Sequence, residues 1–359
     1  MLKNVNLYRE YQPLIPVPPL SDEELHHHTT KSDGITVKTW HKTWITNLKK
    51  NKEFFGDFGK HSFGQLYGKH KAGPAIIMGA GPSVKDSLEA LKMNKGLKNP
   101  VPTISCLHNY GYLEDEGVHA DYYVTLDAGE LIFQDIFEGR QHDLQHYMDT
   151  TKDKILIASI HTPTKLFEMW QGKIYLFNSM VPDAQFTKEA NEVATFSHYI
   201  SAGGNVLGGC FYIARAVFGA STIMFVGADF CFDYDKTFHS YKTQYDATGQ
   251  YIKWPDVFGI PRLTWPSYTH FKLWFDRMAG IVPGHYINCS EGILGAYKEG
   301  NISAFEYKTL EAALTPYVFN EYVYLDEFSK ETGQRTNRTQ VSLEEIFKDP
   351  QHKMNITFF

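Results

Sequence analysis

The sequence predicts an α/β protein: a Rossmann-like three-layer core with a mostly parallel sheet, plus helical N-terminal and C-terminal additions. Three observations predict it. Between residues 72 and 235, short continuous apolar runs alternate with helical patterns, as strands do when helices cover both faces of a parallel sheet. Two glycine-rich stretches, "GAGPS" and "SAGGN", precede helical patterns in that region. Polar residues close the apolar runs, and open sheets of this type gather ligands at the carboxyl ends of their strands.

Composition bounds the class. The chain has 359 residues, enough for a main domain with appended segments. Its hydrophobic fraction of 43% and aromatic fraction of 15% fit a globular protein. With 35 basic and 41 acidic side chains the formal charge is -6, so there is no electrostatic case for a nucleic-acid partner. "MLKNVNLYREYQPLIP" lacks an apolar signal core and no run approaches bilayer length, which makes a cytoplasmic protein without membrane contact the expectation. Cys106, Cys210, Cys231 and Cys289 form no CxxC pair and are expected as buried free thiols. The triplet His26, His27 and His28 lacks a second ligand cluster and reads as a solvated segment.

Taken in order, residues 1–70 form an N-terminal extension: the proline-rich "QPLIPVPPL", then an aromatic helix in "VKTWHKTWITNLKKNKEFFG" lying against the main domain. Residues 71–240 form the nucleotide-binding core. Its first strand runs from Ala75 to Met78, and Ser83 is placed to cap a helix carrying Leu88, Ala90 and Leu91. Further strands are expected in "VPTISCLHN", "ADYYVTLDAG", "KILIASIH", "KIYLFNS" and "STIMFVGADF". Ser201 and Gly203-Gly204 precede a helix whose apolar side carries Val206, Leu207, Cys210, Ile213, Ala214 and Val217, and Gly219 ends it. Residues 241–325 read as a helical acceptor or lid region. There "WPDVFGIPRLTWPSYTHFKLWFDRMAG" gives a turn and then a helix crowded with Tyr268, Phe271, Leu273, Trp274 and Phe275, rich enough in rings to stack on a sugar or pterin; the helical spacing of Phe271, Trp274, Phe275 and Met278 favours packing on the sheet. Trp254 and Trp265, both beside proline, are expected to be exposed. In the tail, 326–359, "SKETGQRTNRTQ" reads as a linker, and a short helix is expected from Ser342 to Phe347, with Glu345 completing a capping box. The final Ile-Thr-Phe-Phe is apolar enough to dock on the body or on a second subunit, so an oligomer stays open.

The candidate site follows from the strand ends. Gly79 and Gly81 would let a phosphate or ribose approach the main chain at a helix N-terminus. The turn is not the dinucleotide fingerprint, because Val84 stands where the third glycine belongs, and no Gly-Lys-Ser/Thr follows to make a P-loop. From the residues alone, a plain tight turn and a ligand turn are both open. His108 and Asn109, Asp127, His161, Asn178 and Asp229 close the other runs. Asp127 and Asp229 are the pair of carboxylates that could hold Mg²⁺ or bond a ribose, with helix capping as the structural alternative.

The combination "GAGPSVKD", "ADYYVTLDAG", "SAGGNVLGGCFYIARAVFGASTIMFVGADF", "DKTFH" and "INCSEGILGAY" resembles, in order and spacing, a known family. It contains archaeal 6-hydroxymethylpterin diphosphokinases and the motility accessory factor glycosyltransferases that modify flagellin. The first and third motifs are also similar to the CMP-sialic acid sites of bacterial sialyltransferases. The resemblance runs from about Trp44 to Leu310. It implies that Gly79, Gly81, Pro82 and Ser83 contact the nucleotide's phosphate and sugar, with Asn109 and Asp127 at neighbouring strand ends. Ser201, Gly203 and Gly204 would form a second nucleotide loop. Asp229 matches the aspartate of the family's Gly-x-Asp element, and His239 the histidine of the loop that follows. The chain departs from the family in carrying Ala228 where glutamine is frequent, and in Phe238 between Thr237 and His239.

Three functions are compatible with these residues. A glycosyltransferase would use a nucleotide-sugar, a CMP-linked nonulosonic acid, with His239 as general base and the N–H groups at Gly81 to Ser83 stabilising the leaving phosphate. Its acceptor would be a glycan, protein or small molecule. A 6-hydroxymethylpterin diphosphokinase would use ATP, with Asp127 and Asp229 holding Mg²⁺. A nucleotide-binding scaffold without turnover is the third reading.

Overall fold

A computed structural model describes residues 22–342, apart from 131, 134–135, 137–140, 182, 234–250, 297–302, 320–321 and 329–334. Nine strands form one sheet: β1 (Pro74–Met78), β2 (Thr103–Cys106), β3 (Tyr122–Thr125), β4 (Ile155–Ser159), β5 (Lys173–Ser179), β6 (Tyr199–Ile200), β7 (Thr222–Val226), β10 (His285–Asn288) and β11 (Phe305–Tyr307). Their order is β11-β10-β7-β1-β2-β3-β4-β5-β6 and their pairings are parallel. Two hairpins stand apart from it, β8 (Ile252–Pro255) with β9 (Pro261–Thr264), and β12 (Tyr322–Phe328) with β13 (Arg335–Ser342).

The three layers follow from the period of two in the strands. In β1, Ile76 and Met78 face one core, where Leu48, Leu91, Leu113 and Leu314 come from helices. Ala75 and Ile77 face the other, where Leu207, Phe211, Ile213 and Phe275 meet them. Both sides of the strand are buried, so the run is continuously apolar rather than alternating.

Helix Asp22–Phe55 contains the basic and aromatic stretch expected to be helical. It crosses the carboxyl ends of β3 and β4, held there by two asparagines one turn apart. Asn47 Nδ2 donates to the carbonyls of Ala128 (3.0 Å) and His161 (2.9 Å). Asn51 Nδ2 donates to those of Ile160 (2.8 Å) and Thr162 (2.7 Å), and its Oδ1 accepts from the Thr164 hydroxyl (2.6 Å). The helix therefore satisfies loop carbonyls that the sheet leaves unpaired.

Four expectations are corrected. Ser83 does not cap a helix: Pro82–Ser87 is a 3-10 turn, helix Leu88–Lys95 starts beyond it, and the Ser83 side chain is used elsewhere. Trp254 is buried beneath the Lys272 ammonium, 5.0 Å from its ring, and Trp265 is half-buried against Phe232. The segment before helix Pro266–Ile281 is a hairpin rather than a simple turn, since Asp256 closes it by accepting from the N–H groups of Phe258 and Ile260. In the tail, residues read as linker form β13, because backbone pairing with β12 satisfies a polar strand as well as an apolar one; Ser342 ends that strand. The rest of the helix expected to Phe347 lies outside the described residues. Among the described residues no helix is long and apolar enough to cross a membrane.

Replacing Asn51 by Ala strands two buried carbonyls and the Thr164 hydroxyl. The expected loss is roughly 2–4 kcal/mol in urea unfolding, against almost none for Lys50→Ala on the exposed side of the same helix. Equal stability of the two variants would contradict this attachment.

Candidate functional site

The strand order reverses at β1: β2 to β6 continue to one side, β7, β10 and β11 to the other. A crevice must open outside the carboxyl ends at such a point. The cavity found there has a volume of about 420 Å³. Gly79 to Gly81, His108, Asp127 and Gly227 to Cys231 line it from the strand ends, Gly204 to Leu207 from a helix start, and Tyr268 and Phe271 from a later helix.

Gly79 and Gly81 serve close backbone packing, one of the two readings the sequence left open. The chain leaving β1 runs against the chain leaving β7: Gly79 N–H donates to the Val226 carbonyl (2.8 Å) and Gly81 N–H to that of Gly227 (2.9 Å). A Cβ at residue 79 would lie 2.4 Å from the Gly227 carbonyl oxygen, and one at 81 would lie 2.1 Å from Asp229 Oδ2. The space that a side chain would fill belongs to the protein, not to a phosphate. Asn109, fully buried, holds the same turn by donating to the Gly79 carbonyl (3.0 Å).

Asp229 is 4% exposed. Its Oδ2 accepts from the Ser83 amide (3.1 Å) and the Ser83 hydroxyl (3.0 Å). Burial outweighs these bonds and pushes the carboxyl up to about 6. Behind it, Gly292 packs on the Asp229 backbone and Ile293 N–H donates to the Asp229 carbonyl (2.8 Å). Phe230, next in the chain, has a φ of 53°, left-handed backbone for a residue with a bulky side chain.

These bonds commit the N–H groups of Gly79, Gly81 and Ser83 inside the protein, and Pro82 has none. The N–H groups expected to cradle a phosphate at Gly81 to Ser83 are thus bonded internally in this structure. Pro82 and Ser83 are buried. A second helix start also borders the cavity. Gly203 and Gly204 have φ of +60° and +83°, and the Trp274 and Phe271 rings close on them so tightly that a Cβ at 203 would lie 2.4 Å from the indole. Asn205 caps helix Val206–Tyr212 by accepting from Gly208 N–H (2.9 Å). Val206 and Leu207, whose first-turn N–H groups have no helical acceptor, line the cavity. Ser201 is exposed and lies outside the lining.

Asp127 presents a carboxylate to the same cavity. Its Oδ2 is buried without a hydrogen bond, 3.7 Å from His108 Nε2. His161 and Asn178 meet each other instead, His161 Nε2 to Asn178 Oδ1 at 3.2 Å, beneath the helix that carries Trp44. Burial lowers His161 to about 4. His239 lies outside the described residues. The four cysteines are buried and free, as expected, and Cys106 and Cys231 border the cavity. Asn205 and Phe230 were not identified as cavity residues, although Asn205 carried a signal, an N-cap residue after two glycines; Tyr268 and Phe271 come from the ring-rich segment whose rings could stack on a sugar or pterin.

A family model described as 6-hydroxymethylpterin diphosphokinase MptE-like matches residues 42–235. In structure the chain is similar to the MAf glycosyltransferase from Magnetospirillum magneticum AMB-1, with 15% sequence identity and a TM-score of 0.50, over 68% of this chain and 34% of that one. The chain spans about a third of that protein's length, and the likeness is one of fold. No curated protein matches the chain.

Because the folded value of Asp229 is raised, its favourable contribution to stability is full below the ordinary aspartate value near 4 and is lost as pH rises through about 6. Asp229→Asn, which keeps an acceptor for Ser83 without the charge, should unfold at higher temperature than the parent at pH 7.5. The gain is roughly 3 kcal/mol at most, by the size of the shift, and disappears near pH 4. A variant less stable at pH 7.5 would contradict the raised value.

Proposed function

The chain belongs to the MptE-like family, and from that premise we propose a nucleotide-dependent transferase that moves a glycosyl group from a CMP-linked nonulosonic acid to an acceptor hydroxyl. One observation carries the reading: the family's strand-end residues and the Val206 helix start converge on a single cavity where the strand order reverses. A helix start whose first N–H groups have no helical acceptor suits the donor phosphate. In the transfer, the acceptor oxygen bonds the anomeric carbon as the carbon–oxygen bond to phosphate breaks, and CMP leaves with the electron pair. The N–H groups at Val206 and Leu207 are placed to stabilise that charge. The acceptor proton passes to a base, for which His239 remains the proposal.

Mg²⁺ fits as an ion carried by the donor. Among the described residues no three His, Cys, Asp or Glu side chains cluster to hold a resident metal. Two carboxylates do face the cavity, and Mg²⁺ is commonly held by one or two of these plus substrate phosphates. Asp127, whose Oδ2 accepts no hydrogen bond, is the better placed, since Asp229 already accepts from Ser83. When bound, the ion would neutralise phosphate charge.

The family's own description, pyrophosphoryl transfer to a hydroxymethylpterin, is the second reading, and the paired carboxylates favour it. Glycosyl transfer is preferred because Tyr268 and Phe271, which close the cavity, come from outside the matched residues 42–235. Two aromatic rings from outside the family match thus line the cavity.

Calorimetric titration with CMP, CTP, ATP and GTP separates the readings. Preference for cytidine nucleotides supports glycosyl transfer, preference for ATP supports the diphosphokinase, and no binding at all contradicts both. Asp127→Asn should weaken nucleotide binding about tenfold in Mg²⁺ and leave it unchanged in chelator, by the usual preference of the ion for carboxylate oxygen. Unchanged affinity in Mg²⁺ would remove Asp127 from the ion's ligands.

A further inference from the structure

Arg262, in β9, is 4% exposed and lies between two aspartates. Its Nε donates to Asp256 Oδ2 (2.9 Å) and its Nη1 to Asp233 Oδ1 (3.1 Å). Asp233 Oδ2 in turn accepts from Lys85 Nζ (2.8 Å), which stands in the 3-10 turn Pro82–Ser87. The charges therefore run from the hairpin, through the chain that follows Asp229, to the turn that carries Ser83.

The backbone repeats this arrangement. The Leu263 carbonyl accepts from Phe232 N–H (2.8 Å), and the Thr264 hydroxyl donates to the Phe230 carbonyl (2.5 Å). Three successive residues of β9 thus hold residues 233, 232 and 230. Phe230 needs such a hold, because left-handed backbone is costly for a bulky residue and persists only where the surroundings enforce it. Asp256 completes the support: its Oδ1 closes the hairpin turn while its Oδ2 orients the guanidinium. A buried arginine between two carboxylates is a weak source of stability, since desolvation offsets most of the attraction, but it fixes geometry.

We propose that Arg262 is a positioning residue for Asp229: through Asp233 and Lys85 it clamps the 229–233 segment to the 82–87 turn, so that the Asp229 carboxylate and Ser83 meet in one arrangement under the cavity floor. The hairpin lies beyond residues 42–235, so the family's aspartate is set by a part of the chain outside the family match. The consequence for binding rests on the reading of the cavity as a nucleotide site; the clamp itself does not.

The test uses the full chain and two readouts, hydrogen exchange at the Ser83 amide and affinity for CMP and ATP. Arg262→Lys leaves a carboxylate unpaired in the interior and can unfold the protein, so Asp233→Asn and Lys85→Met, at more accessible positions, carry the test. Each should speed Ser83 exchange about two- to fivefold, the scale of one lost ion pair. Exchange at Ile76, whose amide is bonded to the Pro102 carbonyl in the core, should stay as in the parent. Nucleotide affinity should fall by a similar factor, and Lys85→Arg should restore both readouts. Unchanged Ser83 exchange in Asp233→Asn overturns the proposal, and so does an equal rise at Ile76, which would mark a purely global effect. Should the parent bind neither nucleotide, the functional reading falls, and Ser83 exchange alone decides the clamp.

Discussion

The close approach of the chains leaving β1 and β7 is the constraint on which the site depends. Parallel neighbours are about 4.8 Å apart in a sheet, and here they remain in contact after the strands end, amide to carbonyl, from Gly79 to Gly227. No side chain fits between them. That contact brings Ser83 over Asp229, buries the carboxyl, and leaves the crevice of the strand reversal immediately above. Glycines at 79 and 81 are thus a packing requirement first, and whatever binds above them meets a floor that is already bonded.

A buried carboxyl of this kind opposes stability at neutral pH. Asp229 is ionised there at the cost of its hydration, with Ser83 compensating only in part. The surrounding structure absorbs this through the Gly292 contact, the left-handed turn at Phe230 and the hairpin that holds it. Local cost of this sort is a common property of functional sites, and it distinguishes Asp229 from Asp127, which reaches the cavity from an accessible strand end with a single buried oxygen.

Much of the fold was legible in the sequence because β1 to β5 and β7 are continuous apolar runs ending in polar residues. Among the strands that escaped notice, β6 has two residues and β11 three, prolines end β8 and begin β9, and β13 is polar apart from Val341. Asn47 and Asn51 show why the placement of the N-terminal helix was not legible. Each is an unremarkable helical residue in sequence, and only the loop carbonyls of distant strands give it a role. The site was legible as a set of positions and not as a set of contacts. Gly79, Gly81, Asp127, Gly204 and Asp229 do share a cavity. Their sequence gives no sign that Ser83 serves Asp229, that Asn109 serves Gly79, or that His161 and Asn178 satisfy one another.

In the function proposed above, the donor lies at the strand reversal with its phosphate on the Val206 helix start. An alternative is a hollow of about 220 Å³ by Asn178, Thr187 and Tyr199 at the far end of the same sheet edge. Mapping backbone amide shifts on addition of CMP, and separately of ATP, distinguishes the two locations. The largest changes are expected at Gly204, Val206 and Leu207, with Asp127 following in Mg²⁺ and the amides of Ser179 and Thr187 unmoved. Changes confined to Ser179, Thr187 and their neighbours, with Val206 and Leu207 silent, would contradict it.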